Sequence, residues 1–193
     1  MILYLGLDPS RWKRDKPLLH YPVIRTAKLP ISKPSDWDDV THLIFTSRSA
    51  VLHWQWFEGK ETLAVGKATA DALEKKGCVP ATSKEETQEG MIELLKTFSL
   101  GGAYLLWPRS TQSRPLLSEY LLSLPCRSLI LDLYETKCQK LEPVPSLETI
   151  DEIVFTSPST VAGFLQIYGS LPADKKLTPI GPITARALKA VSK

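Results

Sequence analysis

Four short turns in this chain combine glycine or proline with small hydroxyl residues: Thr46-Ser47-Arg48-Ser49, Gly66-Lys67-Ala68-Thr69, Ser157-Pro158-Ser159 and Gly181-Pro182-Ile183-Thr184. Each follows a short apolar run and opens a stretch with helical periodicity. At the start of a helix, free backbone N–H groups and the helix dipole favour anions, and small hydroxyls add donors without bulk. The same residues suit helix N-capping, worth ~1 kcal/mol each, and the pattern leaves both readings open. Motifs for other chemistry are lacking. There is no GxGxxG, no phosphate loop and no GxSxG elbow, and no serine has a histidine partner in a convincing place.

The turns come in pairs because the chain writes its central phrase twice. Positions 44–51 read IFTSRSAV and positions 154–161 read VFTSPSTV. A second phrase follows each copy, AVGKATADAL at 64–73 and PIGPITARAL at 179–188. Of the 18 aligned positions 10 are identical, at offsets of 110 (Phe45 and Phe155) and 115 (Gly66 and Gly181). Solenoid repeats have periods of ~20–50 residues, so this is duplication of a whole domain, with a cleft expected between the copies. ILYLGLDPS at 2–10 is similar to AYLLWPRST at 103–111, and each leads to an Arg-rich turn. One domain therefore reads as continuous (36–133) and the other as split (1–25 plus 146–193), with extended linkers at 26–35 and 134–145.

The elements that carry the turns alternate between strand and helix, the pattern of parallel α/β sheets. Strands are expected at 2–7, 42–46, 63–65, 78–81, 103–107, 128–134, 152–156 and 177–180. Helices are expected at 50–57, 69–76 with Gly77 closing it, 87–98, 115–124, 147–151, from the 157–160 turn on to 168, and 184–191, with a helix start at 35–39. The polar segment 8–16 is too short for a secure helix. The fold class is thus α/β: two similar small domains, parallel sheets flanked by helices, a two-stranded linker, and one domain inserted into the other.

Composition excludes several classes. At 43% hydrophobic and 23% charged, the chain has the make-up of an ordinary globular protein. A formal charge of +3 without a Lys/Arg block gives no nucleic-acid signature. Met1 to Leu7 is apolar, but Asp8 and the RWKRDK run end it well short of a signal core or a membrane span. Cys78, Cys126 and Cys138 are odd in number without CxxC spacing, which suits a reducing cytoplasm. His20, His42 and His53 have no metal-ligand spacing and read as surface or packing residues.

Six segments, in order, resemble the uroporphyrinogen-III synthase family: FTSRSAV (45–51), AVGKATADAL (64–73), WPRSTQSRPLL (107–117), LYET (133–136), VFTSPS (154–159) and IGPITARAL (180–188). Together they span about two-thirds of the chain. The resemblance implies a monomeric cytoplasmic enzyme that closes the linear tetrapyrrole hydroxymethylbilane to uroporphyrinogen III, with loss of water and inversion of ring D. It implies no metal and no cofactor, and a transient contact with hydroxymethylbilane synthase as the further partner. The carboxylate-rich substrate agrees with the anion-friendly turns. The family has a full helix after its first strand and a further strand–helix unit after the last motif. Neither is visible here, so the split domain is expected to be abbreviated.

The resemblance also carries residue roles. Tyr134 falls at the family's linker tyrosine, the candidate donor to the leaving hydroxyl, with packing of the linker as its other reading. Thr184 matches the threonine of IGPxTA and is the second catalytic candidate. Thr46, Ser47, Thr69, Ser157, Ser159 and Gly181 are assigned to substrate carboxylates. Arg109 and Arg114 match the paired basic positions, with plain surface solvation as their alternative. A catalytically inactive tetrapyrrole-binding protein is the rival function. A nucleotide-binding module is disfavoured by the missing phosphate loop.

Overall fold

The computed structural model describes residues 1–10, 12 and 16–191. In chain order the strands and helices are β1 (Ile2–Tyr4), β2 (Leu18–His20), β3 (Ile24–Lys28), β4 (His42–Phe45), α1 (Arg48–His53), β5 (Glu61–Ala64), α2 (Lys67–Glu74), β6 (Ala81–Thr82), α3 (Gln88–Leu95), β7 (Tyr104–Ser110), α4 (Leu116–Ser123), β8 (Arg127–Cys138), β9 (Glu152–Phe155), α5 (Pro158–Tyr168), β10 (Lys176–Pro179) and α6 (Pro182–Val191). The chain divides into two compact units, Met1–Thr26 with Thr136–Lys193, and Ala27–Glu135.

The unit Ala27–Glu135 is built on a six-stranded sheet in the order β3-β8-β7-β4-β5-β6. From β8 to β6 every pairing is parallel. Parallel strands are covered on both faces, so their residues alternate between two cores. Leu43 and Phe45 of β4 join Ala50 and Val51 of α1 and Ala70 and Leu73 of α2 in one core. Ile44, between them, joins Met91 and Leu95 of α3 and Leu117 and Leu121 of α4 in the other. Strand β3 is an antiparallel edge: the Leu29 N–H donates to Leu133 O and the Gln139 N–H to Val23 O. The unit boundaries fall inside β3 and inside β8.

The other unit has a parallel sheet in the order β10-β9-β1-β2. One face carries Leu3, Ile153 and Phe155 against Val161 and Phe164 of α5 and Leu188 of α6. The other face carries Ile2, Tyr4 and Val154 with Trp12 and Leu18 packed on them. Among the described residues no helix lies on that face. The strand order repeats that of the larger sheet, with β9, β10, β1 and β2 in the places of β4, β5, β7 and β8. Register corrects the sequence alignment by two residues. Glu152 and His42 are equivalent, and they pair with Ile2 and Leu105, so Ile2 matches Leu105 rather than Ala103. A slip of two keeps every side chain on its own face, which is why the similarity was still visible.

Other expectations are revised by hydrogen bonding. No helix forms at 147–151: the Asp151 N–H, needed by a helical turn, donates to Met1 O, and only a turn closed by Ile150 N–H to Leu147 O remains. The expected helix start at 35–39 is a 3₁₀ turn, Trp37–Asp39. Asp36 stands at its cap without capping it, because its carboxylate accepts from Tyr104 OH and Arg127. The strand expected at 78–81 shrinks to β6. The Cys78 N–H closes α2 by donating to Leu73 O, while the Gly77 N–H donates to Glu74 O with Gly77 at φ +81°. Strand β2 was not expected, because its short LLH carries no pattern apart from its pairing with β1. The polar segment 8–16 and its Arg-rich turn lie partly outside the described residues.

Leu43 is fully buried on β4 while Leu52 of α1 is 70% exposed. Leu43→Ala is expected to cost ~2–5 kcal/mol, read as a lower urea midpoint at unchanged slope. Leu52→Ala should stay within about 0.5 kcal/mol of the parent protein.

Candidate active site

The turn at 46–49 leaves the C-terminal end of β4, where ligands of open parallel sheets sit. Its two hydroxyls are bonded in different directions. The Trp107 indole N–H, fully buried on β7, donates to Thr46 Oγ1 at 3.1 Å. Ser47 caps α1, accepting from the Ala50 N–H at 3.0 Å, and its Oγ lies 2.8 Å from the Tyr134 phenol oxygen.

Tyr134 is 6% exposed. Burial pushes its phenol up from the ordinary value, and hydrogen bonds from Ser47, Ser49 and Ser110 pull it partly back. The His53 ring lies 5.5 Å from the Tyr134 ring, tilted by 35°. Burial, and then the Lys28 charge, lower the His53 pKa. At neutral pH the phenol keeps its proton and the imidazole is uncharged. The site is a hydroxyl cluster around a protonated phenol, able to donate a hydrogen bond or a proton to a leaving oxygen.

The arginines are already paired. Arg109 Nε donates to Asp132 Oδ1 at 2.8 Å, and its guanidinium lies 5.3 Å from the Trp107 ring centre. Asp132 is its register partner on β8. Arg114 makes two bonds to Glu89, at 2.8 and 2.7 Å, which hold that carboxyl at about 2. Arg109 immediately precedes Ser110 and so borders the phenol cluster, whereas Arg114 is tied to α3.

The turn before α2 is occupied by the chain itself. Glu86 Oε1 accepts from the Lys67 N–H at 3.1 Å, and a Cβ on Gly66 would run into the Glu86 side chain. Thr69 sits in the first turn of this helix, buried to 3% exposure.

In the other unit, Ser157 caps α5 through a capping box. It accepts from the Thr160 N–H at 3.3 Å, and Thr160 Oγ1 accepts from the N–H groups of Thr156 and Ser157, both at 3.1 Å. Those backbone donors are thereby satisfied internally. Ser159 is partly buried in the first turn of α5. Thr184 is 4% exposed at the third position of α6, the place Thr69 holds in α2. Gly181 opens on empty space: no atom lies within 4 Å of where its Cβ would stand.

The structure thus gathers Thr46, Ser47 and Tyr134 and adds Ser49, Ser110, His53 and Lys28, which the sequence reading did not single out. One signal was available. Ser49 and His53 are four residues apart on α1, hence on one face. Ser110 carried none, since a strand irregularity brings it to Tyr134.

Residues 17–192 match the family described as Uroporphyrinogen-III synthase HemD. The chain belongs to this family. The fold is similar to that of a uroporphyrinogen-III synthetase from Helicobacter pylori, with a TM-score of 0.70 and 19% identity over 98% of this chain and 87% of that one. It is also similar to that of a mutant uroporphyrinogen III synthase from Thermus thermophilus, with a TM-score of 0.59 and 21% identity over 98% of this chain and 88% of that one. No curated protein matches the chain. The synthase family acts as a hydro-lyase in tetrapyrrole (heme) biosynthesis. Among the described residues no helix is long and apolar enough to cross a membrane.

The lowered His53 pKa has a stability consequence. Between its folded value and the ordinary 6.5, the unfolded chain holds the proton more tightly. Stability is therefore lost as pH falls below 6.5 and through the folded value. The thermal midpoint of the parent protein should decline across this window more steeply than that of His53→Gln. Parallel declines would remove His53 as the cause.

Proposed function

We propose that this protein closes hydroxymethylbilane to uroporphyrinogen III, with inversion of ring D and loss of water. The observation that carries the reading is the buried Tyr134 phenol, bonded to Ser47 at 2.8 Å at the end of a parallel sheet in a chain that belongs to the synthase family. The ring A hydroxyl leaves by accepting the Tyr134 proton, and burial keeps that proton in place at neutral pH. The substituted carbon of ring D then attacks the resulting azafulvene through a spiro intermediate. Much of the acceleration is positioning of a flexible chain. A bonded phenol at the reacting position favours turnover over the binding-only alternative.

The remaining assignments take the hydroxyls and arginines as carboxylate sites. Ser47, Ser159, Thr69 and Thr184 supply hydroxyls near the helix starts, and Gly181 leaves its turn open to the ligand. Ser157 contributes as the residue that shapes its turn, and Thr46 as the one that anchors the turn before α1. Arg109 and Arg114 exchange Asp132 and Glu89 for substrate carboxylates. The two units correspond to a split and a continuous domain, one inserted in the other. The enzyme works as a cytoplasmic monomer without metal or cofactor. A transient contact with hydroxymethylbilane synthase passes the substrate on before it closes unaided.

The test is product identity. Hydroxymethylbilane is generated in situ with this protein present, and the products are oxidised and separated by chromatography. Isomer III above the enzyme-free control is expected. Tyr134→Phe should lower kcat on the order of 10²–10⁴-fold. Isomer I alone, the product of uncatalysed closure, would overturn the reading.

A further inference from the structure

Tyr134 stands opposite Ser110 because the β7–β8 register shifts between Arg109 and Ser110. Arg109 pairs with Asp132, so an unbroken ladder would set Ser110 against Leu133. The irregularity skips one residue and sets it against Tyr134. Irregularities of this kind re-aim side chains beside functional sites. Paired residues on parallel strands point to the same face, so the serine hydroxyl and the phenol lie side by side. The Thr111 N–H donates to Tyr134 O at 3.0 Å and fixes the shifted register.

The hydroxyls are also oriented. Ser110 Oγ accepts from the Gln112 N–H at 3.2 Å, and Ser47 Oγ accepts from the Ala50 N–H at 3.0 Å. A backbone donor on each oxygen leaves the O–H free to point at the phenol. Ser49 stands in the first turn of α1, two residues from Ser47, and its hydroxyl is among those that lower the Tyr134 phenol. The start of α1 and the end of β7 thus bring three serines to the phenol: Ser47 bonded to it at 2.8 Å, Ser110 as its register partner and Ser49 from the helix turn.

We propose that Ser49 and Ser110 are further positioning residues for the ring closure: with Ser47 they form a three-hydroxyl cage that orients the Tyr134 proton and holds the charge left when it departs. This rests on the reaction proposed above. In the step concerned, the substrate C–O bond breaks and its electron pair goes to oxygen. The Tyr134 proton joins that oxygen and water leaves, with the phenolate held by three O–H donors. The carbon–carbon bond that closes the ring releases a proton, which restores the phenol, so the net loss is water.

The test uses the full chain and two readouts. Ser49→Ala and Ser110→Ala should each lower kcat on the order of 10–100-fold, the effect of one hydrogen bond to a charged group, at unchanged KM. Ser110→Thr, which keeps the hydroxyl, should recover most of the rate. The second readout needs no substrate. A fluorinated tyrosine at position 134, whose phenol titrates nearer neutrality, is followed by its absorbance. Its apparent pKa should rise in each alanine variant, because lost donors destabilise the phenolate. An unchanged titration in Ser49→Ala and Ser110→Ala would overturn the cage even if kcat fell, since a structural defect alone would explain the rate. A parent protein that yields only isomer I would overturn the ring-closing role, while the titration would still decide whether the cage exists.

Discussion

The site depends on how β7 lies between its two neighbours. Leu105 and Leu106 pair with His42 and Leu43 of β4, which sets the turn at 46–49 beside the end of β7. On its other side β7 holds β8 through a register that shifts once, at the residue that meets Tyr134. The two faces of the sheet then divide the work. Trp107 belongs to the core under α3 and α4 and holds Thr46. Tyr134 belongs to the core under α1 and α2 and meets Ser47. Consecutive residues of one turn are thus fastened on opposite faces, the strand alternation carried one step past the strand's end. The serine beside the phenol therefore has little freedom to move. Such fixity matters where chemistry depends on placement within a few tenths of an ångström.

Burial and hydrogen bonding act on the phenol in opposite senses. Desolvation raises its pKa and so protects the proton, while the serine donors stabilise the phenolate and lower it. A phenol that was only buried would keep its proton too well to give it up. One that was only hydrogen-bonded in water would be held loosely. The neighbouring imidazole follows the same logic, since burial and the Lys28 charge keep it neutral. An uncharged ring can lie against the buried Tyr134 ring without a charge to solvate at that contact.

Much of the fold was legible because it is written in local pattern and in repetition. The phrase at 44–51 and its copy at 154–161 became β4 with α1 and β9 with α5. The weaker likeness of 2–10 to 103–111 became β1 and β7, shifted by two residues that only the pairing could reveal. What stayed hidden was non-local. The Arg109–Asp132 and Arg114–Glu89 pairs join residues 23 and 25 positions apart, and nothing in either neighbourhood announces the partner. The Glu86 carboxylate at the start of α2 is of the same kind. Residue types mark the turn as suited to an anion, and its Lys67 N–H is taken by an anion of its own chain. Ser110 was passed over for the arginines on either side, because a strand irregularity has no sequence signature.

Capping does not use up a serine hydroxyl, as the two copies illustrate. Ser157 and Ser47 hold equivalent places and both cap a helix. At Ser157 the cap is closed on itself, because Thr160 answers the backbone donors and returns its own proton to Ser157 O. At Ser47 the position equivalent to Thr160 is Ala50, which has no side-chain oxygen to close the box. The capping bond there uses one acceptor site of the serine and leaves its proton for Tyr134. Capping thus orients the hydroxyl rather than competing with its use. A duplicated frame supplied two similar turns. The box at Ser157 does not use the serine O–H either, so the copies differ in what that hydroxyl meets: Ser47 lies against the Tyr134 phenol.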